Sequence, residues 1–231
     1  MADRLYFGPI VEHEYYRGQM KRQGVRIAII VEGETETAFA TCLRGFLKTK
    51  APDKMPKLVF RPQGGHVPTN EKLRRIVRDL LDRENCDAVI ALTDVYKAPY
   101  DSEREDLFKD AAEAKRKMRE WVGDEARFFP HTAQHEFEAW LLPYWEKIDA
   151  LSKRKSSIIP NRNQPEKVNH GKSPGKWLEQ LFRDGTGREY DKVIDGAKIL
   201  NGQDLAIAAA ACPELKAFLN TLLDLADGEP L

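Results

Sequence analysis

The stretch Ile27-Ala28-Ile29-Ile30-Val31-Glu32-Gly33-Glu34-Thr35-Glu36-Thr37-Ala38-Phe39 decides how the rest of the chain is read. An apolar, largely β-branched run stops at Glu32-Gly33, and a helix-prone segment follows. The pattern predicts a buried strand over 25–31 that delivers a carboxylate at its C-terminal tip. Gly33 permits the tight turn. Glu32 then lies at the strand end and Glu36 in the first helical turn. Two carboxylates at the carboxyl edge of a sheet can hold Mg2+ or Mn2+ through oxygen ligands. Acids favoured by a helix N-terminus would give the same spacing, and the spacing does not choose between these readings.

Strand and helix alternate onward from this stretch. The segment 35–48 carries Ala38, Phe39, Cys42, Leu43 and Phe46 at helical spacing. A short strand over 58–61 runs into Pro62-Gln63-Gly64-Gly65-His66. There Gly64 and Gly65 either admit a phosphate against the backbone or form an ordinary turn. Leu73, Ile76, Val77, Leu80 and Leu81 mark a helix over 71–85. A strand over 87–92 ends in Thr93-Asp94-Val95-Tyr96, so Asp94 repeats the placement of Glu32. A charged helix is expected over 103–122, a short strand over 126–129 before Pro130, and a short helix over 135–142 with Phe137, Trp140 and Leu141 inward. Such alternation argues for an α/β fold with a mostly parallel sheet and helices on both faces. Beyond Pro143 no strong strand pattern remains. The expected division is an N-terminal extension over 1–24, an α/β core over 25–142 and a helical C-terminal lobe over 143–231 packed on that core.

Val31-Glu32-Gly33-Glu34-Thr35-Glu36 resembles the first motif of Toprim domains, in the Val-Glu-Gly-x-Thr-Glu form of OLD (overcoming lysogenisation defect) nucleases. Together with His135-Glu136-Phe137-Glu138-Ala139 and a later basic region, the chain resembles domain-of-unknown-function family 4276, a Toprim-like family. The likeness runs from about Val25 to the C-terminus. It implies a metal-dependent nuclease acting on DNA or RNA, with Mg2+ or Mn2+ held by Glu32, Glu36 and Asp94 and completed by Glu136 or Glu138. Toprim domains usually carry Asp-x-Asp at the second strand. Here Tyr96 replaces the second aspartate, which removes one expected ligand. With Phe137 and Trp140 inward on a helix, Glu136 and Glu138 are not expected to face one ion equally, and Glu136 is favoured. The OLD likeness also implies a role in anti-phage defence beside a separate ABC-type ATPase.

Composition narrows the remaining choices. The 231 residues contain 37 Lys+Arg and 37 Asp+Glu, a formal charge of zero, with 42% apolar residues. This is the profile of a globular chain, and no apolar run approaches membrane-spanning length. Three well-separated cysteines form no Cys-x-x-Cys pair, and a reducing cytoplasm is the expected compartment. The neutral total hides an asymmetry. Residues 151–192 hold ten Lys+Arg against five Asp+Glu, a net of +5, whereas 200–231 hold one lysine against five acids, a net of −4. The basic segment suits phosphate-backbone contact. Within it Lys172 and Lys176 are candidates for nucleic-acid binding, and Lys176 also for offsetting charge at a scissile phosphate. Each fits an ordinary surface lysine equally well.

Three other motifs are set aside. Gly171-Lys172-Ser173 lacks the first glycine and the preceding strand of a P-loop. His131 and His135 lack the glutamate that a zinc-peptidase helix requires. The tyrosines have no accompanying topoisomerase domain, so hydrolysis by an activated water is expected. The rival function is a non-catalytic, nucleic-acid-binding or assembly subunit that keeps the Toprim fold. A homodimer is compatible with either function.

Overall fold

The structure, a computed structural model, describes residues 24–95, 108–168 and 172–231, without the side chains of 34–38. The expected N-terminal extension, most of the helix before 108, Tyr96 and the Glu36 side chain lie outside the described residues. Strand β1 (Arg26–Val31) leads into helix α1 (Glu34–Lys50) and strand β2 (Lys57–Pro62). Helix α2 (Asn70–Arg78) continues as a π-helical turn over Asp79–Arg83, then strand β3 (Ala88–Val95) follows. Helix α3 (Ala111–Val122) and strand β4 (Phe128–Gln134) complete the sheet.

All pairings are parallel and the order is β2-β1-β3-β4. The chain leaves β1 toward β2 on one side and leaves β3 toward β4 on the other. The ends of β1 and β3 therefore flank a topological switch point, where open α/β sheets form a crevice.

Alternation along β1 sorts the two layers. Ile27, Ile29 and Val31 join Phe39, Leu43 and the C-terminal helices, while Ala28 and Ile30 face Leu73, Val77 and Met118 of α2 and α3. The α/β sheet with helices on both faces agrees with the sequence pattern. Burial of both faces also explains why β1 reads as an uninterrupted apolar run.

After β4 the described chain is helical: α4 (Trp145–Ser152), α5 (Pro174–Thr186), α6 (Lys192–Leu200), α7 (Leu205–Ala211) and α8 (Pro213–Leu225). Leu178, Leu181, Phe182, Leu205, Leu215, Phe218 and Leu222 are fully or almost fully buried and share one apolar cluster with β1 and α1. Pro174 and Pro213 occupy first-turn positions, where the missing N–H costs nothing.

Two expectations near β4 need correction. The strand does not end before Pro130 but runs through it to Gln134, with Pro130 in register with Ala91. This is tolerated because β4 is an edge strand among the described residues, with outward N–H groups that need no ladder partner. The helix expected over 135–142 is only a 3-10 turn, Phe137–Trp140. His135 adopts a left-handed φ of 68°, which breaks any helix before it starts.

Candidate functional site

Glu32 stands immediately after β1 and Asp94 near the end of the adjacent strand β3, so both reach the switch-point crevice. The contact runs from the Glu32 carboxylate to the backbone of β3. The Asp94 backbone N–H donates to Glu32 Oε1 at 3.0 Å, and the Thr93 hydroxyl donates to the same oxygen. Glu32 Oε2 faces His66 Nδ1 at 3.8 Å, with the Glu32 side chain 16% exposed. Burial pushes the Glu32 carboxyl above the ordinary glutamate value, despite opposing help from Thr93, the Asp94 N–H, His66 and Lys192.

The glycine loop is part of this wall. Gly64 and Gly65 have φ of 73° and 129°, and the Gly65 N–H donates to the Glu32 carbonyl at 2.7 Å. Positive φ at both positions folds the loop back over the end of β1 and brings His66 to Glu32.

Glu136 and Glu138 arrive from the 3-10 turn beside β4. Glu136 Oε2 accepts the Gly175 N–H at 2.8 Å, at the N-terminus of α5, where the helix dipole favours an anion. A Cβ on Gly175 would meet Glu136 Oε2 at 2.9 Å and the carboxyl carbon of Glu138 at 3.6 Å. Both acids therefore lie against the same glycine. The helical geometry from His135, on which the expectation of divergent directions rested, is replaced by the 3-10 turn. Glu138 is 1% exposed, and burial pushes its carboxyl up against the lowering effect of Lys192, with Glu136 adding to the rise.

Lys192, at the first position of α6, supplies the positive charge. Its Nζ lies 3.1 Å from Glu138 Oε1. Burial works against its charge, yet Glu138, Glu136 and Asp94 hold its ammonium above the ordinary lysine range. The lysine is set in place by a local lock. Arg188 forks onto buried Asp195 at 2.6 and 2.8 Å, and the Asp191 N–H donates to Asp195 at 2.9 Å. Burial opposes ionisation of Asp195, but Arg188 and the Asp191 N–H keep its carboxyl below the usual range.

The candidate residues thus divide. Glu32, Asp94, Glu136 and Glu138 share one electrostatic neighbourhood around Lys192, beside Gly64 and Gly65. Lys176 is 61% exposed and pairs with Glu179 at 2.7 Å. Lys172 lies over the Trp177 ring at 5.0 Å and bonds Gln180. These two ammonium groups are engaged along α5 and not with the carboxylates. Lys192, Thr93 and Gly175 were not singled out by the sequence. A lysine opening a helix after Asp191 carries no signal of what it faces.

The donor chemistry is that of a hard, oxygen-preferring cation, since the carboxylates offer only oxygen, with Lys192 already on Glu138 and His66 facing Glu32. Among the described residues no three His, Cys, Asp or Glu side chains already stand together at ligand spacing. Nor is any described helix long and apolar enough to cross a membrane.

Residues 31–223 match the family described as domain of unknown function DUF4276. Comparison with curated proteins gives no match. Among solved structures, the C-terminal region of the Burkholderia pseudomallei OLD protein is similar at 13% identity, covering 87% of this chain and 98% of that one, with a TM-score of 0.50. The C-terminal region of the Xanthomonas campestris pv. campestris OLD protein aligns at 12% identity over 87% of this chain and 98% of that one, with a TM-score of 0.41. With the Toprim-like motif at the end of β1, an overall fold similar to that of the Burkholderia OLD region, and a family match over most of its length, the chain belongs to the DUF4276 family.

Proposed function

We propose that this protein is a Mg2+- or Mn2+-dependent nuclease that hydrolyses phosphodiester bonds. The observation that carries the reading is the contact of Glu32 with the Asp94 backbone at the carboxyl ends of two central parallel strands. Glu32, Asp94, Glu136 and Glu138 would hold the cation, with Glu36 joining them from the first turn of α1. When bound, such an ion lowers the pKa of a water and stabilises the leaving oxygen.

The protein's own groups prepare that chemistry. Thr93 and the Asp94 N–H fix Glu32 Oε1, which leaves Oε2 toward His66 to take a proton from the attacking water. The N-terminus of α5 fixes Glu136 through Gly175. Lys192 offsets negative charge beside the acids. Lys172 and Lys176 would receive backbone phosphates along α5. The deciding experiment is cleavage of DNA and RNA with Mn2+ by wild type and Glu32→Ala. The variant is expected to be inactive, and cleavage at the wild-type rate would rule out this centre.

The OLD likeness supports a setting in anti-phage defence beside an ABC-type ATPase partner. Co-purification with an ABC-type ATPase, read by size analysis, is the expected result. Absence of a complex at micromolar concentration would remove that partner. A second reading, a non-catalytic nucleic-acid-binding subunit, is favoured by Lys192 already neutralising Glu138. In that case Mn2+ binding by wild type would equal that of Glu32→Ala.

A further inference from the structure

We propose that Lys192 is the resident counter-cation of this site: its ammonium takes the place on Glu138 that a divalent ion needs, and it thereby sets how weakly the free chain holds that ion. The inference rests on the metal-dependent reading of the same carboxylates. Glu138 is almost completely enclosed, its side chain 2% exposed, whereas the Lys192 side chain is 49% exposed. The lysine stem reaches inward from the surface and can withdraw its head to water. The carboxylate has no such option and needs a positive neighbour in every state in which it is ionised.

The placement is built in and not an accident of one long side chain. The Arg188–Asp195 fork and the Asp191 N–H on Asp195 fix the turn from which Lys192 emerges. Ile194 N–H on Asp191 Oδ1 at 2.8 Å then caps α6 at its start.

A second observation is an unmatched donor close to these acids. The Tyr190 hydroxyl is buried without a hydrogen-bond partner, and the residue is 7% exposed. Burial acts on it first, and then the acids Glu138, Asp195, Asp191 and Glu136 in that order. A buried donor left unmatched among these acids can be met by an oxygen donor or a water that enters with a cation.

A lysine that served only the fold would lower stability when removed and would leave ion binding no tighter. A competing cation behaves oppositely, because removing one positive charge a few ångströms from a divalent ion strengthens that ion's binding. The test is Mn2+ binding by the full chain, read by electron paramagnetic resonance at low ionic strength. Wild type, Lys192→Met, Glu32→Gln and the double variant are compared. Lys192→Met is expected to bind Mn2+ more tightly by about tenfold or more, and Glu32→Gln to weaken binding in both backgrounds.

If wild type shows Glu32-dependent binding but Lys192→Met binds equally or more weakly, the counter-cation role is overturned and the nuclease reading stands. If neither protein shows Glu32-dependent binding, the nuclease reading falls and this inference with it. Should Lys192→Met fail to fold, the wild-type Lys192 ammonium nitrogen resonance gives the answer. It must shift between Mg2+-free and Mg2+-saturated protein, and an unmoved resonance overturns the proposal.

Discussion

Two clusters of enclosed or partly enclosed acids among the described residues are built differently. At the start of α8, Glu166 accepts the Trp140 indole N–H at 3.2 Å and the Glu214 N–H at 3.0 Å. Glu214 in turn holds Lys115 with both oxygens, at 2.9 and 2.7 Å, and accepts the Thr132 hydroxyl at 3.3 Å. At the switch-point crevice, four acids from three segments share Lys192 and a few neutral donors. Burial raises Glu166 as well as Glu32 and Glu138, so the direction of the shift does not separate the two places. The supply of donors does. The first cluster is matched donor for acceptor, as a helix cap and interhelical tie should be. The second sets four acids around Lys192, with His66 facing Glu32, and the metal-site proposal rests on that arrangement.

The sharpest way to break this comparison is to remove one acid from each place. Glu32→Gln should lower Mn2+-dependent cleavage by about a thousandfold while leaving the fold intact. Glu166→Ala should leave cleavage within about twofold and cost about 2–3 kcal/mol of stability, through the stranded Trp140 and Glu214 donors. Paired cleavage assays and denaturant melts would show whether the two effects separate. Gly175→Ala should do some of both. The new methyl meets Glu136 Oε2 at 2.9 Å, and the expected result is a stability loss of about 1–3 kcal/mol with reduced cleavage.

Acidity gives a subtler test. The folded Glu32 carboxyl titrates above its unfolded value of 4.5, so between the two values the folded chain binds the additional proton. Stability from this group is therefore gained as pH falls toward 4.5 and lost as pH rises through the folded value. The melting temperature of wild type should rise relative to Glu32→Gln over that descent. An unchanged difference between the two proteins would show that Glu32 is not under-compensated. The smallest effect belongs to the exposed lysines. Lys172→Ala or Lys176→Ala should weaken nucleic-acid binding only a few fold and reduce the salt slope by about one.

How much of this was legible depends on how local each cause is. Glu32 and Asp94 were readable because an apolar strand that stops at an acid fixes where the acid emerges. Glu136 and Glu138 were readable as residues but not in direction. The left-handed turn at His135 replaces the expected helix, and a histidine carries little signal for positive φ. Pro130 suggested a strand end because its tolerance depends on lying at the sheet edge, which only the tertiary arrangement settles. Lys192 was invisible for a related reason. It meets Glu138 because the turn at 188–195 is fastened by Arg188 and Asp195, a contact that no periodicity encodes.

Pro130 also bears on assembly. A proline in the outermost strand removes one donor from the row that an incoming strand would use. Continuous extension of the sheet past β4 into a second molecule is interrupted at that position. A β4-to-β4 ribbon between two copies would lack a ladder bond at that point, which makes the edge a poor template for a second strand.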